Sequence, residues 1–211
     1  MSFYETLCRL EEKLLKPLHK RAIPGPVIIG GIAVILHGKI RPTSDFDLAV
    51  KTQDADTVID IIYENGGYVA SDGDKDTGTM YLYESAQKAK NGIERRKLPA
   101  LRFVYPADPS GAGYVDGILQ YRLLSTDTLI GDVWFMAPPG TTLLKLFKKA
   151  KLIKLGDVEL HLADIEELIS MKISAAKLRD DPADAAQDMA DAKALQEILK
   201  QSTARQKGSR S

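Results

Sequence analysis

Asp45 and Asp47 stand one residue apart in the run Ser44-Asp45-Phe46-Asp47-Leu48-Ala49-Val50. Side chains alternate along a strand, so the two carboxylates share one face while Phe46 and Leu48 take the other. Two carboxylates that close repel each other unless a cation sits between them, and Mg²⁺ is the simplest candidate. The elements that must position them lie just upstream. Val27-Ile28-Ile29 is a β-branched apolar run suited to a buried strand. Gly30-Gly31 breaks it, 32–36 is a compact apolar helix, and Gly38 can end that helix. Without Cβ atoms, Gly30 and Gly31 let backbone approach a phosphate closely, and the helix start offers free N–H groups to an anion.

The ordered set Gly30-Gly31-x-Ala33, His37-Gly38, Arg41, Thr43 and Asp45-x-Asp47 resembles the DNA polymerase β nucleotidyltransferase superfamily. It is similar to small antibiotic nucleotidyltransferases and looks closest to the AbiEii-like type IV abortive-infection toxins. The resemblance implies transfer of a nucleoside monophosphate from a nucleoside triphosphate (NTP) to an acceptor hydroxyl, with loss of pyrophosphate. It also implies two Mg²⁺ ions, which in such sites lie about 3.5–4 Å apart, and three carboxylates. Asp45 and Asp47 would bridge both ions, and a third acid on a neighbouring strand would ligate the ion nearer the acceptor and serve as base. Asp116, in the strand-like run 114–119, is the expected third acid. Asp108, in the loop 106–113, is its competitor. Gly117 departs from the apolar residue expected beside the third acid. A nucleotide-binding module of the same fold without turnover is the alternative function.

The resemblance further implies that Arg41 or Ser44 contacts phosphate or braces the acids; the plainer reading is a surface loop stiffened by Pro42. His37 reads as a packed, helix-end histidine. Ile165, Leu168, Ile169, Lys172 and Ala176 fall on one helical face, so Lys172 interrupts an apolar stripe and needs solvent, an acid or a ligand. The toxin-like enzymes carry a similar lysine followed by an arginine and acids, here Lys172, Arg179, Asp184 and Asp188. Lys172 therefore either reaches the triphosphate or forms a buried ion pair with Asp184 or Asp188.

The rest of the chain fits a soluble globule. Hydrophobic residues are 44% of the 211, and 29 basic residues balance 29 acidic ones, which excludes a global nucleic-acid signature. Arg95, Arg96 and Lys97, with the basic tail, could supply a local patch for a tRNA end; the plainer reading is ordinary surface charge. The lone Cys8 excludes an intramolecular disulfide, Met1 is followed by no apolar leader, and no apolar stretch is long enough to cross a bilayer; cytoplasmic residence is expected. Phe3, Leu7, Leu10, Leu14 and Leu18 mark one helix face. Strands are expected at 68–70, 79–83 and 100–105 and at or near 134–136, and helices near 54–64, 141–151, 164–178 and 184–200. Asp72 to Gly78 resembles a calcium loop with its glycine misplaced, so a polar hairpin turn is the better reading. The expected fold class is α+β, a nucleotidyltransferase fold in which helices flank a mixed twisted β-sheet. Residues 1–137 would form the core, 138–200 a C-terminal helical lobe and 201–211 a disordered basic tail. Expected partners are the NTP, an acceptor (a tRNA end, a small molecule or a protein) and an antitoxin-like protein.

Overall fold

The structure is a computed structural model, and it describes residues 3–43, 45–71, 78–96, 99–106, 112–115, 118–123, 129–155 and 158–208. A ten-stranded mixed sheet runs through them. β1 (Val27–Ile29) and β2 (Phe46–Ala49) are antiparallel neighbours near one end of the sheet. β3 (Tyr68–Ser71), β4 (Thr79–Leu82), β5 (Ala100–Tyr105), β6 (Gly113–Val115) and β7 (Ile118–Arg122) form the other half. β8 (Leu129–Trp134), β9 (Lys151–Leu155) and β10 (Val158–Leu162) complete an order of β6-β7-β4-β3-β5-β8-β2-β1-β10-β9. Two pairs are parallel, β1 with β10 and β2 with β8.

The N-terminal stripe folds as expected: α1 (Phe3–Leu10), a π-helical turn (Glu11–Leu15) and α2 (Lys16–Lys20) bury Leu7, Leu10, Leu14 and Leu18. The Lys13 carbonyl oxygen in that segment accepts a hydrogen bond from the Tyr105 hydroxyl of β5 at 3.3 Å. α3 (Gly30–Leu36) follows β1 directly. α4 (Ala55–Glu64) buries Val58, Ile59, Ile61 and Ile62, and Asn65 ends it. α5 (Ala86–Arg96) packs on α4 and β3. α6 (Leu143–Lys149) is capped by the Thr142 hydroxyl, which accepts from the Lys145 N–H at 3.2 Å. α7 (Ile165–Leu178) is capped by Asp164, and α8 (Pro182–Gly208) packs along it. Side-chain oxygens at these N-caps satisfy N–H groups that a helix start leaves without partners.

Several expectations are corrected. Residue 138 does not divide sheet from helices, because β9 and β10 join the same sheet and β10 lies beside β1. Their sequence, Lys151-Leu-Ile-Lys-Leu155 and Val158-Glu-Leu-His-Leu162, carries polar residues among apolar ones on both sides of Gly156-Asp157. The tail expected to be disordered continues α8 as helix through Gly208. The strand expected at or near 134–136 is the end of β8, which lies between β5 and β2. The run 114–119 holds parts of two strands, β6 and β7, which pair with each other at the far side of the sheet. The expected hairpin turn at 72–77 lies outside the described residues. Among the described residues no helix is long and apolar enough to cross a membrane.

Candidate active site

β1 delivers the chain into Gly30 at φ +64°, where α3 begins. β2 returns antiparallel with Asp47 opposite Ile29. Phe46 and Leu48 face the core, 1% and 0% exposed, so the strand's alternation aims Asp47 the other way. Its carboxylate lies against Gly30. A Cβ placed on Gly30 would stand 1.7 Å from Asp47 Oδ2, and one on Gly31 would stand 2.6 Å from the Thr43 hydroxyl. The glycine pair thus makes room for the acid and the loop that carries it.

On the other flank of β2, Asp47 is directly in register with Asp132 of β8. Residues paired in this way project from the same face of a sheet. One strand further, Arg102 of β5 is in register with Asp132 and donates from Nε to its Oδ1 at 3.3 Å. Asp45, exposed just before β2, is near enough to repel Asp47. Burial pushes the Asp47 carboxyl up to about 7, neighbouring Asp132 adds to the shift, Lys172 opposes it, and Asp45 adds a smaller push.

These acids line a cleft of about 290 Å³. Its floor holds Ile29, Gly30, Asp47, Asp132 and Trp134, and the facing wall carries Lys172, Arg179 and Asp188 among apolar side chains of α7. Lys172 is buried, as its apolar surroundings require, and its Nζ lies 2.6 Å from Asp188 Oδ1 and 3.3 Å from Asp191 Oδ2. Arg179 Nε donates to the second Asp188 oxygen at 3.2 Å. Asp191, fully buried, also takes an ion pair from Arg41, a weaker one from Lys39 at 3.5 Å, and a hydrogen bond from Gln187 at 2.9 Å. Two carboxylates of α8 thereby hold cations from α7 and from the loop after α3.

Of the expected site residues, Gly30, Asp47 and Lys172 line the cleft, and Asp45 and Gly31 adjoin it. Arg41 pairs with Asp191 rather than with the acids of β2. Lys172 pairs with Asp188, as one reading expected, and with Asp191; Asp184 is exposed. His37 packs at the end of α3, its Nε2 2.8 Å from the Ala163 carbonyl oxygen. Ser44, Asp108 and Asp116 lie outside the described residues. The strands flanking Asp116 are separated from β2 by β4, β3, β5 and β8. Sequence reasoning missed Asp132. Its signal was the one used for Asp116, an acid inside an apolar run, here Leu129-Ile-Gly-Asp-Val-Trp134.

No protein-family model matches the chain, and no curated protein matches it. Solved structures resemble it at low similarity. A crystal structure of a candidate nucleotidyltransferase from Thermotoga maritima is 13% identical with a TM-score of 0.45, covering 95% of this chain and 96% of that one. The enzyme ANT(2'')-Ia, in complex with adenylyl-2''-tobramycin, is 15% identical with a TM-score of 0.47, covering 95% and 98%. Likeness at these values assigns neither family nor activity, and the chemistry of the cleft follows from its own side chains.

Proposed function

We propose that the chain is a metal-dependent nucleotidyltransferase, moving a nucleoside monophosphate from an NTP to the hydroxyl of a tRNA end, a small molecule or a protein. One observation carries this: Asp47 and Asp132 stand in register on adjacent strands beside Gly30, across a cleft from Lys172 and Arg179. The acids of β2 and β8 on one wall, and Lys172 and Arg179 held by Asp188 on the other, suit a ligand that is both anionic and accompanied by a divalent ion.

The donor set fits Mg²⁺. Burial and crowded carboxylates raise Asp47 to about 7, a penalty that a divalent cation would remove. Among the described residues no three histidine, cysteine or acidic side chains stand close enough together to hold an ion. Phosphate oxygens and water would fill the remaining positions, which is how Mg²⁺ is commonly held at phosphate-transfer sites. Asp47 and Asp132 are the proposed ligands, with Asp45 at the mouth, and Asp132 takes the role expected of Asp116. When bound, two such ions neutralise the triphosphate and lower the pKa of the attacking hydroxyl.

The chain's own groups do the rest. Lys172 and Arg179 face the phosphate tail and favour its negative charge. The Gly30 backbone, without a side chain, allows phosphate to approach the start of α3. The Asp132 carboxylate accepts the acceptor hydroxyl's proton. The acceptor's hydroxyl oxygen, having lost that proton, bonds to the α-phosphorus as the bond to pyrophosphate breaks. Kinship with the AbiEii-like toxins, and with it an antitoxin-like partner, belongs to the same proposal and is supported by the meeting of Lys172, Arg179 and Asp188.

The test is mass spectrometry of small molecules, RNA and protein after incubation with mixed NTPs and Mg²⁺. A nucleoside-monophosphate increment that disappears in Asp47→Asn and Asp132→Asn is expected. Mg²⁺-dependent nucleotide binding with no product in any pool would favour the binding module instead. Product that persists in the double variant rules the mechanism out.

A further inference from the structure

Among the described residues one buried side-chain nitrogen or oxygen has no hydrogen-bond partner: the indole Nε1 of Trp134. A donor sealed from water without an acceptor is costly, and native proteins keep such groups where something else satisfies them. Its position says what that could be. Trp134 follows Asp132 by two residues on β8, so both side chains project from one face. It is in register with Ala49, two residues beyond Asp47 on β2. Trp134 is therefore the diagonal neighbour of Asp47, and its ring lines the cleft beside that acid. The indole also favours the charged form of Asp47. The two paired acids thus have matching flanks: Arg102 already donates to Asp132, and the Trp134 N–H is near enough to Asp47 to act on its carboxyl without forming a well-aligned hydrogen bond to it.

We propose that Trp134 is a positioning residue for Asp47: once a divalent cation takes one carboxylate oxygen, the indole N–H donates to the other and fixes the carboxylate's rotation. The inference rests on the metal-dependent reading of the cleft. Partners of this kind orient ligating groups in metal sites, and their loss weakens metal affinity about 10–100-fold.

Trp134 is the chain's single tryptophan, so its emission reports on this site alone. The probe is Mn²⁺ with inorganic triphosphate, which carries no base, added to the full-length protein and followed by tryptophan fluorescence and by calorimetry. In the wild type, emission is quenched saturably with the calorimetric midpoint, and Asp47→Asn shifts that midpoint upward at least 10-fold. Trp134→Phe keeps the ring bulk and removes the N–H. It weakens calorimetric binding about 10-fold while the metal-free melting temperature holds or rises, because an unsatisfied donor has gone. A merely structural tryptophan gives the reverse, a lower melting temperature with unchanged affinity, and that result overturns the proposal. Equal binding by wild type and Trp134→Phe overturns this inference alone, whereas absence of binding by the wild type removes the metal-dependent reading with it. Should Trp134→Phe not fold, quenching in Asp47→Asn identical to wild type overturns the proposal by itself.

Discussion

The carboxylate of Asp47 occupies the space that a side chain on Gly30 would fill, 1.7 Å from the position of its Cβ. The glycine is required twice there, once for φ +64° and once for the acid. Gly30→Ala should lower stability by about 1–3 kcal/mol through backbone strain. It should also reduce turnover about 100-fold, because the acid is pushed from its place. Gly113→Ala, which meets nothing within 4 Å, is the control and should change neither. Thermal melts and initial rates on both variants check this.

The third carboxylate separates two readings cleanly. Asp132 is in register with Asp47, while the strands flanking Asp116 lie across the sheet. Asp132→Asn should lower kcat about 1,000-fold or more with little change in melting temperature. If Asp132 is the third acid, Asp116→Asn should stay within about twofold of wild type. Rates for the two variants, measured side by side with one NTP, decide the assignment.

The raised Asp47 pKa has a stability signature with a definite sign. Its ordinary value is 3.8, and in the folded protein it is about 7. From about pH 4 to 7 the unfolded chain releases this proton while the folded one keeps it, so metal-free stability falls as pH rises through that window. The loss is about 1.4 kcal/mol for each pH unit crossed, a few kcal/mol in all. Melting curves in a chelating buffer should show the loss in the wild type but not in Asp47→Asn, and Mg²⁺ should stabilise the wild type more at pH 8 than at pH 5.5.

Asp191 is fully buried and answers Arg41, Lys172 and Lys39. Replacing it with alanine strands cations that were placed to face it, a change that typically costs about 3–5 kcal/mol. Arg41→Ala should cost less, since its side chain retains 18% exposure. Chemical denaturation of the two variants gives the comparison directly.

The part of the site legible in the sequence is the local part. Gly30, Gly31, Asp45 and Asp47 sit on one strand-turn-helix-strand unit, where alternation and glycine chemistry determine which side chains meet. Asp132 could not be placed the same way. Its partnership with Asp47 arises from a parallel pairing between strands far apart in the chain, and acid-in-apolar runs occur at both Asp116 and Asp132. Lys172 was visible as an intruder in an apolar stripe. That Asp191 would share it was not, because Arg41 comes to the same acid from the opposite end of the chain. The strands β9 and β10 were overlooked in the gap between the helices expected at 141–151 and 164–178, although their mixed polar and apolar pattern was present.

β8 is the seam of the sheet, with β2 on one side and β5 on the other. Everything from β3 to β7 is threaded between the strands bearing Asp47 and Asp132, yet it pairs only outward from that seam. Apart from β5, whose Arg102 holds Asp132, the intervening segment can therefore lengthen, shorten or be exchanged while the two acids keep their spacing. Diversification of what the molecule handles is mechanically uncoupled from the grip that handles it.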